Sequence, residues 1–167
     1  DVCSSDLQQM EWLKNALLFS HATFKIIVTG SQVLNIYNKY ECMQQYSYEY
    51  NQLLNFLSEQ KVKGVMFLTG DRHHSEVIKM SRPNQYSLYD ITVSPYTSGI
   101  SKVAKSAEEN NPLREPNTLV EAQNFAKFSF SGKKGERILK VEFLGIKGDK
   151  LGEWSIDEKR SEEHTSE

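Results

Sequence analysis

An apolar run that ends abruptly in polar chemistry constrains this chain more than any other feature. Residues 65–68 read VMFL, and residues 70–76 read GDRHHSE. A continuous apolar run predicts a strand buried on both faces, as in the parallel sheet of an α/β protein. Gly70 permits a sharp turn where the chain leaves this strand. The polar cluster therefore follows the carboxyl end of a central strand, where open α/β sheets bind their ligands.

Asp71 and His73 are the candidate metal ligands of this cluster. They lie two positions apart, so in an extended loop both side chains point to the same side. Carboxylate oxygen and imidazole nitrogen are common ligands of zinc, iron and manganese. His74 points the other way, so we expect only one of the two histidines to join Asp71. The alternative is a structural loop in which Asp71 forms an ion pair.

The neighbouring polar residues each have two interpretations. Arg72 is a candidate for gripping the phosphate oxygens of an anionic substrate, or else forms an ion pair with Glu76 or another carboxylate. His74 is a candidate catalytic residue that supports a ligand or contacts the substrate. Glu76 is interpreted as a strand-start residue paired with a base. Gln32, which follows another glycine turn, lines the site or holds the turn.

The first half of the chain predicts a strand–helix–strand unit. Strands are expected at residues 24–28 and 65–69, with an amphipathic helix at 46–61 between them and a further helix at 8–21. Such crossovers are right-handed and lay their strands parallel. The loops after both strands then emerge at one edge of the sheet, which places Gln32 near the polar cluster.

The second half changes character and predicts an antiparallel β meander. Alternating apolar residues separated by turn-forming residues indicate a series of short strands. Residues 101–116 are polar and are interpreted as an exposed excursion. The fold class is therefore α/β, with one βαβ unit followed by the meander. The expected strands cover residues 76–80, 86–93, 124–131, 138–144 and 152–156.

Composition excludes some functional classes. The 167 residues include 20 basic and 22 acidic side chains, for a net charge of −2, which provides no electrostatic footprint for nucleic acid. No apolar run approaches the ~20 residues of a membrane span. The chain contains neither a Gly-x-Ser-x-Gly nucleophile elbow nor a phosphate loop. An ester hydrolase with a serine nucleophile therefore has no support.

The two ends of the chain share an unusual relationship. Residues 160–167 back-translate to a DNA segment whose reverse complement encodes residues 1–6 and opens a leucine codon. We expect residues 1–7 and 160–167 to be translated sequencing adapter, which leaves residues 8–159 as the native part. Cys42 is then the one native cysteine, so no internal disulfide framework is expected. The presence of a leader peptide stays open.

Several segments together resemble the PhoD-like (alkaline phosphatase D) family of metallophosphoesterases, within the calcineurin-like superfamily. The segment LTGDRHHSE at residues 68–76 is similar to the family's last metal-binding motif, Gly-Asp-x-His after an apolar strand. FKIIVTGSQVL at residues 24–34 looks like the family strand that ends in Gln. LYDITVSP at residues 88–95 and TSG at residues 97–99 resemble its Ser/Thr-rich turn, and Asn124 and Phe125 at the start of a strand also fit the family. The resemblance covers nearly all of residues 8–159.

This resemblance implies a four-layer α/β/β/α sandwich of which the chain is the C-terminal half. It implies a metal pair of iron, calcium, zinc or manganese, with Asp71 and His73 at ligand positions and Gln32 lining the site. A metal-activated water would attack a phosphomonoester or phosphodiester. The family's earlier ligand motifs do not occur here, so we expect the isolated piece to be inactive and to lack its N-terminal half. Family analogy alone implies an exported, periplasmic or extracytoplasmic protein.

A different class of function stays open beside the enzyme. The chain would then be a non-catalytic α/β binding domain in which residues 71–74 form a structural loop. Complete Asp and His motifs upstream in the source gene would favour the enzyme.

Overall fold

A computed structural model describes residues 7–159 and shows helices on one face of a first sheet, with a second sheet on its other face. The expectation for the chain ends concerns residues outside this range, apart from Leu7. The elements are α1 (Leu7–Phe19), a 3₁₀ helix (Met43–Gln45), α2 (Ser47–Glu59), β1 (Lys25–Val28), β2 (Val65–Thr69), β3 (Glu76–Arg82), β4 (Gln85–Thr92), β5 (Asn124–Ser131), β6 (Ile138–Gly145) and β7 (Lys150–Asp157).

The first sheet has the strand order β1-β2-β4-β3. β1 and β2 are parallel and α2 lies between them in the chain, which confirms the predicted βαβ unit. β4 is parallel to β2, and β3 is its antiparallel neighbour at the edge. The β3–β4 hairpin therefore extends the first sheet, and the separate meander consists of β5, β6 and β7.

The central strand β2 is buried on both faces, as its continuous apolar sequence predicts. Phe67 packs in the cluster on the helix side, and Met66 packs in the cluster between the two sheets. The helix-side cluster includes Met10, Leu17, Leu53, Leu57, Ile78 and Leu88. None of the described helices is both long enough and apolar enough to cross a membrane.

The second sheet packs one face against the first and turns a charged face to solvent. Buried residues alternate along β6, and this face carries Leu139, Val141 and Phe143 against the first sheet. The opposite face carries ion pairs of Lys140 with Glu142 and Glu153. The structure thus shows an α/β/β arrangement in the described part of the chain.

Asp90 of β4 ties the loop after β1 to the middle of the sheet. Its fully buried carboxylate accepts hydrogen bonds from the backbone N–H groups of Val33 (2.7 Å) and Leu34 (2.9 Å) and from Thr69 Oγ1 (2.6 Å). Burial raises the pKa of Asp90 to about 6, because it outweighs these hydrogen bonds. The carboxylate therefore fixes the loop after β1, but burial of its charge lowers the stability of the folded state.

This cost predicts a pH dependence. The ordinary pKa is 3.8, so the unfolded chain loses the Asp90 proton before the folded chain does, and stability falls between about pH 4 and pH 6. Asp90→Asn keeps an acceptor for both N–H groups and removes the titration. The free energy of unfolding is measured in urea at about pH 4 and pH 7. Between these two values wild type should lose on the order of 3 kcal/mol more than the variant. If the free energies of unfolding of wild type and variant changed equally with pH, the assigned role of Asp90 would be wrong.

Candidate functional site

The loops after β1 and β2 meet at one edge of the first sheet. The N–H of Gly70 donates a hydrogen bond to the carbonyl oxygen of Gly30 at 3.1 Å. The N–H of Thr29 donates to the carbonyl oxygen of Leu68 at 3.0 Å. Because these bonds join the two glycine turns directly, they confirm that the turn preceding Gln32 lies beside the polar cluster.

The loop of residues 70–75 presents its side chains alternately outward and inward. Asp71 and His73 are exposed, whereas Arg72 and His74 are buried, which confirms the predicted opposite orientation of the two histidines. Asp71 and His73 have φ angles of 67° and 60°, in the left-handed region that side chains other than glycine seldom adopt. Such backbone strain persists where surrounding structure enforces it and is concentrated at functional sites.

Hydrogen bonds hold His73 in this conformation from both sides. Its N–H donates to Ser94 Oγ, and its carbonyl accepts from the N–H of Ser101, each at 2.9 Å. Ser94 is fixed in turn by Ser75, whose hydroxyl accepts from the Ser94 N–H at 2.9 Å and donates to Asn124 Oδ1 at 2.8 Å. The Ser-rich turn and the first residue of β5, both singled out in the sequence, thus support the loop.

Arg72 fixes the loop to the protein interior. Its guanidinium forms a buried ion pair with Glu108 and lies over the ring of Tyr40, with 5.0 Å between Cζ and the ring centroid. The interpretation of Arg72 as an ion-pair residue is therefore confirmed, with Glu108 as the partner. Its predicted contact with substrate stays a prediction, since the side chain lies inside the protein.

The excursion of residues 101–116 is not wholly exposed, which corrects the expectation from its polar composition. Glu108 and Asn111 are buried, at 4% and 5% exposure. Glu108 accepts a hydrogen bond from Asn35 Nδ2 at 2.9 Å, and Asn111 donates to Asn35 Oδ1 at 3.0 Å. The polar residues are buried because each finds a partner on a remote loop, which local sequence does not reveal.

Glu76 is the centre of the buried network. Its carboxylate accepts from Arg114 Nε at 2.7 Å, from Gln32 Nε2 at 2.8 Å and from Asn35 Nδ2 at 3.2 Å. Burial opposes the charged form, but neighbouring His74 and Arg114 outweigh it and lower the pKa of Glu76 to about 2. The interpretation of Glu76 as a strand-start residue paired with a base is confirmed.

Gln32 and His74 lie within the same network rather than on its outer surface. Gln32 is fully buried and also donates to Thr92 Oγ1 at 2.8 Å. His74 is fully buried, and neither ring nitrogen forms a well-directed hydrogen bond, although Nε2 lies 3.4 Å from Glu76 Oε1. The predicted site-lining role of Gln32 and catalytic role of His74 stay predictions.

Two groups of side chains have the donor chemistry of a metal site. Among the described residues, His74, Glu76 and Glu108 form the one group of three whose ligand atoms lie within 4.8 Å of one another. Arg114 and Arg72 already pair with these two carboxylates, and a buried cation would add uncompensated positive charge. Asp71 and His73 instead project outward from the loop without an ion pair to a described residue. Their donor set suits zinc, iron or manganese.

The low pKa of Glu76 predicts a loss of stability in acid. The carboxylate stabilises the folded state above its ordinary pKa of 4.5, and this contribution is lost as pH falls towards about 2. Glu76→Gln breaks a buried ion pair and should cost about 3–5 kcal/mol at pH 7. In urea unfolding, the difference in free energy of unfolding between wild type and variant should become smaller as pH falls below about 4.5.

Glu153 supplies the matched control, because its ion pairs with Lys140 and Lys150 lie on the exposed sheet face. Glu153→Gln should leave the free energy of unfolding nearly unchanged at neutral pH, because exposed ion pairs contribute little to stability. A Glu76 variant that is no less stable than this control would contradict the assigned role of the buried network.

Comparisons with known proteins agree with the fold. The chain matches a solved structure entitled "Structure of PhoD" with a TM-score of 0.72 at 13% identity, over 96% of this chain and 35% of that one. The likeness shows a shared fold, of which this chain spans about a third. No curated protein matches. A sequence model described as "PhoD-like phosphatase" matches residues 7–143, which include every candidate site residue. This chain belongs to the PhoD-like phosphatase family.

Proposed function

We propose that this chain is the part of a metal-dependent phosphoric ester hydrolase that supplies Asp71 and His73 as metal ligands. The carrying observation is the loop itself, with two exposed donors in left-handed conformations at the carboxyl edge of the sheet. Membership of the PhoD-like phosphatase family supports hydrolysis of a phosphate ester by the parent protein. Metal ions held there supply Lewis acidity to a phosphate oxygen and lower the pKa of a water molecule.

The chain's own residues position this site in a defined way. Arg72 and Glu108 fix the loop between the two ligands, and Ser94 fixes the backbone of His73. The backbone of the loop is thereby fixed while the side chains of Asp71 and His73 stay exposed. Mutation of residues that position metal ligands in this way typically lowers metal affinity or activity by about ten- to a hundredfold.

Two ligands are too few for a metal pair, so further ligands are required from outside this chain. The chain spans only 35% of the matched PhoD structure, which leaves room for them in the remainder of such a fold. In this proposal residues 8–159 are the C-terminal portion of the domain and are inactive alone. An exported location is proposed from family analogy only.

The test is made on the polypeptide encoded by the source gene with the region upstream of Gln8 included. Hydrolysis of a phosphomonoester and a phosphodiester is measured with iron, calcium, zinc and manganese. We expect metal-dependent hydrolysis of one ester class, and His73→Ala should reduce kcat/KM by at least about a hundredfold. The fold should be unchanged, because His73 is exposed.

His21 provides the control, since it is also exposed but lies after α1, away from the loop. His21→Ala should leave both activity and metal content unchanged. A folded full-length protein that hydrolyses neither ester with any of the four metals would favour the alternative, a non-catalytic binding domain. If His73→Ala and His21→Ala lost activity equally, His73 would not be a residue of the site.

A further inference from the structure

The turn that follows β4 is bonded to the backbone of His73 at both of its ends. Ser94 Oγ accepts a hydrogen bond from the His73 N–H, and the N–H of Ser101 donates to the His73 carbonyl, each at 2.9 Å. β4 is parallel to β2, so this turn emerges at the same sheet edge as the loop that carries Asp71 and His73. The residues between Ser94 and Ser101 therefore lie beside the candidate metal ligands.

A cavity of about 320 Å³ lies between this turn and the second sheet. The N–H of Asn124, the first residue of β5, donates to the carbonyl of Pro95 in the turn at 2.9 Å. Asn124 also pairs with Gly145, the last residue of β6. Its volume is at the lower end of the range of about 300–1,000 Å³ that is usual for small-molecule sites. The six lining residues are Tyr96, Thr97, Gln123, Asn124, Phe125 and Ile146.

The polar side chains of the cavity hold its walls together. Asn124 Nδ2 donates to the carbonyl of Ser94 at 3.1 Å. Gln123 Nε2 donates to the carbonyls of Thr97 and Ser98 at 3.0 Å and 3.1 Å. These bonds fix the turn against the start of β5. The two side-chain NH₂ groups thus have carbonyl partners within the protein.

Large apolar side chains supply much of the remaining surface of the cavity. Tyr96, Phe125 and Ile146 are exposed by 71%, 40% and 72%. Contiguous exposed apolar surface of this kind is typical of a binding site, and the two aromatic rings favour a further ring as their partner. None of the six described lining residues is charged, so the cavity lacks a cation to bind phosphate. It suits a neutral, apolar group.

We propose that this cavity binds the organic group of the phosphate ester, and that this group is apolar and about the size of one aromatic ring. The inference rests on the proposed function, because the phosphate of such an ester would then bind at Asp71 and His73. The alcohol part would enter the uncharged cavity on the β4 side of these ligands. A strongly polar alcohol such as a sugar would lose hydrogen bonds to water there without full replacement.

The experiment uses the full-length polypeptide of the source gene and the metal that supports hydrolysis. The substrates are the methyl and benzyl esters of the phosphate class that it hydrolyses. Methanol and benzyl alcohol are similarly acidic, so the ratio of kcat/KM for the two esters reports contacts of the ring. The benzyl ester should be favoured by at least about tenfold.

Tyr96→Ala should lower this ratio by at least about threefold, because it removes one of the two aromatic partners. Tyr48→Ala is the matched control and should leave the ratio unchanged, since Tyr48 is 73% exposed and lies on α2. An equal change of the ratio in the two variants would overturn the proposal. The ratio for wild type provides a test that needs no variant.

A binding measurement separates this proposal from the proposed hydrolysis. Benzyl alcohol is titrated into the same protein labelled at isoleucine methyl groups, and the NMR signal of Ile146 should shift, whereas methanol should leave it in place. No shift, or equal kcat/KM for the two esters, would overturn the cavity as a subsite without affecting the proposed hydrolysis. Hydrolysis of neither ester with any metal would instead contradict the proposed hydrolysis, and the Ile146 signal would still decide whether the cavity binds a ring.

Discussion

The outward presentation of Asp71 and His73 depends on two ion pairs buried beneath them. Arg72, which lies between the two candidate ligands, pairs with Glu108, and Glu76 at the start of β3 pairs with Arg114. Arg114 Nη2 also donates to the carbonyl of Glu108 at 2.8 Å, so the two pairs form one connected network. Two positive and two negative groups balance, so the network carries no net charge, although Arg114 is only partly buried. The excursion thereby becomes a support for the loop rather than a free segment.

The first sheet holds two buried carboxylates with opposite electrostatic character. Glu76 has guanidinium and imidazole neighbours, which lower its pKa, whereas Asp90 has only neutral donors, and its pKa is raised by burial. Both organise the loop after β1, since Glu76 binds Gln32 and Asp90 binds the N–H groups of Val33 and Leu34. The two carboxylates therefore position the loop after β1, which lies beside the strained loop of residues 70–75 through the hydrogen bond from the Gly70 N–H to the Gly30 carbonyl.

The sequence predicts those features that depend on local patterning. The buried β2 follows from its continuous apolar run, and the contact between the two glycine turns follows from parallel βαβ topology. The opposite exposure of His73 and His74 agrees with the expectation, but the loop is not extended as that expectation assumed, since Asp71 and His73 have positive φ angles. Local sequence does not identify Glu108, because its partners, Arg72 and Asn35, are remote and the polar residues around it are typical of an exposed segment. Gln32 illustrates the same limit, since its position was predicted but its hydrogen bonds to Glu76 and Thr92 were not.

We propose that metal binds through the exposed residues Asp71 and His73, supported by the buried residues Arg72, Glu76 and Glu108. Titration of the isotope-labelled chain with Mn²⁺, followed by NMR line broadening, tests this directly, because paramagnetic relaxation reports proximity even when binding is weak. We expect broadening centred on the Asp71 and His73 signals, which should be lost in His73→Ala and retained in His21→Ala. Broadening centred on His74, Glu76 and Glu108, unaffected by His73→Ala, would contradict it and place the metal in the interior.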